Sequence, residues 1–375
     1  MNLDLNLNHA AGKPLDDKFG IGAVGAGFIM RDVQLKAYTD AGFKVVGITS
    51  RTPEIAREVA DLYAIPKLYD SLSEMLRHRE IEILDIAVPP DRQLEIVRTA
   101  VKEGVHLKGI LAQKPLAVNY DEAREIVDLC RLNGLPLAVN QNMRHDQSIR
   151  ALKTILSRGY LGTPVLATVE MRAVPHWQTW LHEYRRLTLL NMSVHHIDTF
   201  RFLFGEPDSI FVSARKDPRT SFPHEDGICL YTLEYPDSLL ATAWDDVWAG
   251  PRTAEDDMKP YIKWRVEGTD GLAEGTLGWP QYPNHSPSTL TFTTSRDPNI
   301  WLTPRWSDVW FPDAFRGPMA DLMNAIASGS EPETNGADNL KTMAVIEAGY
   351  RSLRERRSVR IADAIENTAV PLKER

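Results

Sequence analysis

The apolar positions of the chain keep one rhythm up to Asn140 and another beyond it. Phe19 to Val24, Lys44 to Thr49, Ile83 to Val88, Gly109 to Ala112 and Leu135 to Asn140 are short apolar or β-branched runs, and they predict strands. Between them, Phe28 to Ala41, Pro53 to Tyr63, Ser71 to Arg77, Leu94 to Glu103 and Asp121 to Asn133 carry apolar residues at helical spacing. The run ILDIAV from Ile83 is nearly all apolar, as a strand buried on both faces must be. Strands alternating with helices predict a doubly wound parallel sheet of Rossmann type, with its ligand at the carboxyl ends of the strands. After Asn140 comes one helix, Ile149 to Ser157, and then a strand-rich stretch. Val165 to Arg172, Ser209 to Ala214, Gly227 to Tyr235, Ser238 to Trp244, Ile262 to Glu267 and Thr289 to Thr294 alternate in the manner of half-buried strands. They predict an α+β domain with a large, mostly antiparallel, open-faced sheet. A helix at Asn191 to Leu203 interrupts it, and Phe315 to Ser328 and Asn339 to Arg356 predict helices near the end.

The expected division is a mobile tail over 1–18, a dinucleotide-binding domain over 19–144 and a substrate-binding and oligomerisation domain over 145–335. A C-terminal helix and tail, 336–375, is expected to pack back on the first domain. A length of 375 residues suits two cores of ordinary size. Apolar and charged fractions of 43% and 25% are those of a globular chain, and no apolar run approaches the roughly 20 residues that span a bilayer. The first 18 residues lack a basic start and an apolar block, so no secretory signal is expected there. Cys130 and Cys229 stand in no metal-ligand spacing, which predicts no structural zinc and fits a reducing compartment, the cytoplasm by default. A net charge of −8 without basic blocks argues against a nucleic-acid partner.

Chemistry concentrates first at Gly25-Ala-Gly27, which follows a strand and opens a helix. Glycine there lets the backbone approach a pyrophosphate, and the helix N-terminus faces its charge. The third glycine of that pattern is replaced by Met30, and taken alone the motif is equally an ordinary strand-to-helix turn. At the end of the second strand stand Ser50 and Arg51, where an acidic residue would hold a ribose 2′-hydroxyl and an arginine accommodates a 2′-phosphate. Either they favour NADP, or Ser50 caps the next helix and Arg51 is merely solvated. The candidate cofactor contacts are Gly25, Gly27, Phe28, Ile29, Ser50, Arg51, Pro89, Gln113 and Lys114.

Lys114 ends a strand on the edge where a nicotinamide would lie, and a lysine there can donate to a substrate oxygen. His195 and Asn191 are one helical turn apart, so both are expected on one side of their helix, where the imidazole can take a hydroxyl proton. A histidine satisfied at a domain interface is the plainer reading of that residue. Trp177, Trp180, Trp244, Trp248, Trp306 and Trp310 offer flat faces for a sugar ring, though most belong to a core or a subunit interface. Arg144, His176, Asp245 and Asp246 offer it hydrogen bonds.

Taken together, GAVGAGFIM, QKPLA at Gln113 to Ala117, LLNMSVHHID at Leu189 to Asp198 and GSEPETNGADNL near the end resemble the Gfo/Idh/MocA oxidoreductase family. The resemblance runs through nearly the whole chain after Lys18. It implies that Lys114 contacts the reacting hydroxyl and that His195 accepts its proton. It also matches Asn191 to an aspartate and Gln113 to a glutamate, two departures from the family pattern. DPRTSFPHEDGICLYTLEY, WDDVWAGP and PRWSDVWFPDAF resemble the branch that contains D-apiose dehydrogenases. This implies oxidation of a cyclic aldose at C1 to a lactone with NAD as the usual cofactor, which pulls against the Ser50-Arg51 reading and leaves NAD or NADP as the expectation, with catalytic roles for Lys114, His195 and Asn191. The candidate substrate contacts are Asn191 and His195 from the resemblance, with Arg144, His176 and Asp245 from the hydrogen bonds their residue types offer. Oxidation of a ring hydroxyl of another sugar or of inositol, chemistry that uses NAD transiently, and a noncatalytic dinucleotide sensor are the alternatives. The open sheet face predicts a homodimer or homotetramer.

Overall fold

The computed structural model describes residues 3–10, 12–172, 179–237, 239–246, 261–278 and 287–366. Its first sheet begins with β1 (Ile21–Val24), every residue of which is buried. The helix expected over Phe28 to Ala41 is wound in two ways, a π-helical segment at Ile29–Gln34 and then α1 (Leu35–Ala41). Met30, in the place of the third glycine, is wholly buried within the wide segment. β2 (Val45–Thr49), α2 (Pro53–Leu62), α3 (Leu72–Met75), β3 (Ile83–Ile86), α4 (Pro90–Glu103), β4 (Gly109–Ala112), α5 (Tyr120–Leu132) and β5 (Leu137–Val139) follow. The order across the sheet is β2-β1-β3-β4-β5, with every pair parallel. The chain therefore leaves β1 to one side for β2 and returns to the other for β3, which makes their carboxyl ends the switch point where such sheets bind ligands. Local chemistry sets the helix starts: Ser71 and Asn119 accept from the Glu74 and Glu122 N–H groups, while Pro53 and Pro90 occupy first-turn positions.

The second sheet is entered through α6 (Gln147–Ser157), capped by Asp146, and β6 (Pro164–Arg172). α7 (Thr188–Asn191) and α8 (Ser193–Phe204) then precede β7 (Ser209–Arg215), β8 (Ile228–Glu234), β9 (Leu240–Asp246), β10 (Tyr261–Gly268), β11 (Gly271–Thr276) and β12 (Thr289–Thr294). The chain continues through α9 (Arg316–Ser328), α10 (Gly336–Glu355), β13 (Val359–Arg360) and α11 (Ile361–Glu366). The eight-stranded order is β12-β11-β10-β6-β9-β8-β7-β13. All pairs are antiparallel except β6 with β9. β11, GLAEGT, escapes a sequence reading because small residues replace the β-branched ones, and β13 is only two residues long. One face of the sheet is buried in alternation, and the other exposes Phe211, Leu230, Leu240 and Trp244.

The chain divides into two compact units, and the division departs from the expected one. The first holds the described residues of Ala11–His145 and Phe311–Lys341, the second those of Met1–Ala10, Asp146–Trp310 and Thr342–Arg375. It is α9 that packs on the first unit: its Leu322 and Ile326 lie over Gly109, where a Cβ would come within 2.8 Å of Ile326. Most of α10, expected on the first domain, belongs to the second unit instead. Gly349 abuts Leu189, Ile210 and Val212, and Ser352 Oγ accepts from the Val212 N–H at 3.0 Å. The amino-terminal stretch is also no free tail. Leu7 is buried, Arg158 donates to the Asp4 and Asn6 carbonyls, and the Leu15 N–H donates to Asn324 within the first unit.

Candidate functional site

The carboxyl ends of β1, β2 and β3 are bonded to one another at the glycine turn. The Gly25 N–H donates to the Thr49 carbonyl at 2.8 Å, and the Ala87 N–H to the Val24 carbonyl at 2.9 Å. Gly25 has φ +102°, and a Cβ there would stand 2.4 Å from the Ala87 carbonyl oxygen, so glycine is required twice over. Gly27 is exposed, a Cβ on it would meet nothing within 4 Å, and its carbonyl accepts the first helical bond from the Arg31 N–H. Open space over an exposed glycine at a helix start fits the pyrophosphate of a dinucleotide. Phe28 and Ile29 follow half-buried, and Pro89 stands half-buried at the entry to α4. Ser50 does not cap α2: the capping position is Thr52, and Ser50 lies two residues earlier at the strand end beside an exposed Arg51.

Lys114 follows β4 and is joined to Pro115 by a cis peptide bond. The peptide is held by a residue that sequence reasoning missed, Gln93 of α4. Its Nε2 donates to the carbonyls of Gln113, Pro115 and Leu116 at 2.9–3.0 Å, and its Oε1 accepts from the Gln113 N–H at 2.7 Å. A glutamine inside an otherwise amphipathic helix, buried on the apolar side, is the signal that could have found it. Lys114 is partly buried, and loss of water pushes its ammonium down to about 7. Gln113, expected at the cofactor, is turned inward instead: it is buried, and its side chain bonds Gln34 and the Lys114 N–H.

In the second unit the helix expected to carry both Asn191 and His195 is broken at Met192, so Asn191 ends α7 while His195 lies in the first turn of α8. Both are buried. α7 is anchored by Asp226, whose carboxylate accepts from the Leu187 N–H at 2.7 Å, the Leu189 N–H at 2.8 Å and the Tyr350 hydroxyl at 2.9 Å. Burial raises the Asp226 carboxyl, and those three bonds pull it back. His195 packs edge-on against Trp310, with centroids 5.4 Å apart.

Two expected substrate contacts are overturned. Asp245 points to the covered face of the sheet, buried, where it accepts from Ser193 and bonds His196 Nδ1 at 3.0 Å. Strand alternation explains this, because Asp246 is the neighbour on the other face, and it pairs with Arg219 at 2.8 Å. Arg144 is buried in the first unit and pairs with Asp338 at 2.6 Å, donating also to the Glu333 carbonyl. His176, Trp177 and Trp248 lie outside the described residues. Of the other tryptophans, Trp310 is buried, Trp244 stands exposed on the open face, Trp306 donates to the Ser288 carbonyl and Trp180 packs on Leu181, Leu187 and Phe222. No helix among the described residues is long and apolar enough to cross a membrane.

Comparison with known proteins bears on both units. The profile of an oxidoreductase family's NAD-binding Rossmann fold matches residues 19–141, and that of its C-terminal alpha/beta domain matches 153–361. The D-apiose dehydrogenase of Paraburkholderia graminis is 27% identical over 90% of this chain and 88% of its own. That of Rhizobium rhizogenes is 25% identical over 90% and 96%. Among solved structures, an oxidoreductase from Agrobacterium radiobacter in complex with NAD+, L-tartaric acid and magnesium superposes with a TM-score of 0.77. It is 23% identical and covers 92% of this chain and 99% of its own, a likeness of fold.

Proposed function

The chain belongs to the Gfo/Idh/MocA family of oxidoreductases, and from that premise we propose that it oxidises a cyclic aldose of the D-apiose kind at C1. The product is the lactone, formed directly because the oxidised carbon of a cyclic aldose already carries the ring oxygen. NAD or NADP, when bound, takes the hydrogen of that carbon together with its electron pair. The chain's own residues manage the oxygen: Lys114 donates to the anomeric hydroxyl, and His195 takes its proton. Asn191, neutral where the family pattern has an acid, orients the substrate by hydrogen bonding and adds no charge to the imidazolium.

The observation that carries this reading is Lys114. It follows a strand of the sheet whose switch point carries the glycine turn, and the loss of water that lowers its ammonium makes it both a donor and a group that can release a proton near neutrality. The two D-apiose dehydrogenases, each similar over nine-tenths of the chain, support the choice of substrate class. Ser50 and Arg51, with no acid at the end of β2, support acceptance of NADP. The exposed apolar residues of the open sheet face support a homodimer or homotetramer, which light scattering reads directly.

Absorbance of reduced nicotinamide, followed with NAD and with NADP over a panel of D-apiose, other pentoses, tetroses and inositols, tests the proposal. Reduction with an aldose and release of a lactone is the expected result. Reduction with inositol alone would move the reaction to a ring hydroxyl. Cofactor binding without reduction by any member would leave the sensor or transient-NAD reading in its place.

A further inference from the structure

A wholly buried carboxyl in the first unit takes no part in the reaction as read above. Asp85 lies in β3, whose other residues, Ile83, Leu84 and Ile86, are apolar and buried. Its register partners, Ala23 on β1 and Leu111 on β4, are apolar too. A lone carboxyl in such a place is costly to bury, and burial pushes it up to about 7 although its hydrogen bonds pull the other way.

Those bonds lead to Lys114. Gln34 Nε2 reaches both Asp85 oxygens, at 2.8 and 2.7 Å, and the Tyr38 hydroxyl donates to one of them at 2.8 Å. Gln34 Oε1 accepts from Gln113 Nε2 at 3.1 Å, and Gln113 Oε1 accepts from the Lys114 N–H at 3.1 Å. The directions are linked. A carboxylate only accepts, whereas an amide has one accepting and one donating end. Asp85 therefore turns the Gln34 NH2 towards itself, which leaves the Gln34 carbonyl for Gln113. Gln113 must give its own NH2 there, and its carbonyl is left for the Lys114 N–H. Every donor in the series points towards Asp85.

We propose that Asp85 is a positioning residue: through Gln34 and Gln113 it fixes the peptide that carries Lys114 and so sets where the lysine amine stands. The inference rests on the reading of Lys114 as the group that holds the reacting oxygen.

The test uses the full chain and three variants, Asp85→Leu, Asp85→Asn and Gln34→Met. Leucine removes the acceptor, asparagine keeps one accepting oxygen for Gln34, and methionine cuts the series at its middle. Hydrogen exchange of the Lys114 backbone amide is read beside kcat, aldose KM and cofactor Kd. In Asp85→Leu the Lys114 N–H should exchange faster and kcat should fall roughly tenfold to a hundredfold, with KM and Kd within about twofold. Gln34→Met should do the same, and it carries the test if Asp85→Leu does not fold. Asp85→Asn should recover most of both losses, which a merely structural carboxyl would not predict. Unchanged Lys114 exchange in a folded Asp85→Leu or Gln34→Met, or equal losses in the leucine and asparagine variants, would overturn the proposal. Full activity in Lys114→Met, with Asp85→Leu still freeing the Lys114 N–H, would overturn the reading of Lys114 and leave the relay standing.

Discussion

The two candidate catalytic residues are held by opposite kinds of chemistry. Lys114 sits on a loop fixed mainly by neutral amides: Gln93 binds three of its carbonyls and Gln113 binds its N–H. His195 sits at the start of a helix whose surroundings are fixed by buried carboxylates, with Asp226 anchoring α7 and Asp245 holding Ser193 and His196. Amides around its backbone hold Lys114 in place while loss of water lowers its ammonium. Around His195 the anchored groups are donors, the N–H groups at the start of α7 for Asp226 and the Ser193 hydroxyl for Asp245, and for those an acceptor-only carboxylate serves best. The difference teaches that each anchor suits the groups it must satisfy: amides, which donate and accept, hold a peptide loop, and carboxylates hold a set of donors.

The largest test removes the candidate catalytic groups themselves. Lys114→Met and His195→Ala should each lower kcat by roughly a hundredfold to ten-thousandfold, with cofactor binding, measured by fluorescence titration, intact in His195→Ala. If either change left turnover untouched, its half of the comparison would lose its catalytic meaning.

Removing an anchor should be felt next. Asp226→Ala leaves two N–H groups and the Tyr350 hydroxyl without their acceptor, at a cost of about 3 kcal/mol or more in denaturant unfolding. Asp226→Asn keeps one acceptor and should cost less. Equal stability of the alanine variant and the parent would show that α7 needs no such anchor.

Gly25→Ala should weaken cofactor binding in the first unit, because the added Cβ meets the Ala87 carbonyl and the positive φ strains any other residue by about 1–3 kcal/mol. Calorimetric titration with NAD and NADP checks this. Undiminished affinity would separate the glycine turn from the cofactor.

The smallest effect is a pair of opposite pH dependences. Lys114 is lowered from 10.5 to about 7, so between those values the unfolded chain holds a proton that the folded one has lost, and stability rises with pH. The cost of its burial is fully present below pH 7, so Lys114→Met should raise the melting temperature most at low pH, with the gain fading as pH approaches 10.5. Asp85 is raised from 3.8 to about 7, so over that interval the folded chain holds the extra proton and stability falls as pH rises. The gain from Asp85→Asn, relative to the parent, should therefore be larger above pH 7 than near pH 4. Thermal melts across pH 4 to 10 read both, and slopes of the same sign for the two variants would contradict the assignment.

Much of this was legible in the residues. Runs such as IGAV and ILDI specify buried parallel strands locally, and Gly25 with Gly27 marks the turn between strand and helix. The place of Lys114 just after a strand end was legible, while a lysine there is equally an ordinary turn residue until its role is tested. The break at Met192 was not legible, since TLLNMSVHHID keeps helical spacing throughout, and neither was the anchor of α7, which Asp226 supplies from more than thirty residues away by taking the N–H groups of Leu187 and Leu189. The facing of Asp245 was not legible either, because adjacent acids on a strand point to opposite faces and only the register of β9 decides which is buried.

The sequence by itself determined the two sheet types, the strand-turn-helix at the amino-terminal sheet, and the candidate lysine and histidine. All of these follow from spacing and residue type within a few neighbouring positions. Only the tertiary structure decided that α9, and not most of α10, covers the first unit, that Arg144 and Asp245 are committed to the interior, and that Asp85 is linked to Lys114 through Gln34 and Gln113. Those outcomes depend on which partner a polar group finds across tens of residues, and a buried polar group takes whichever partner the packing brings within about 3 Å.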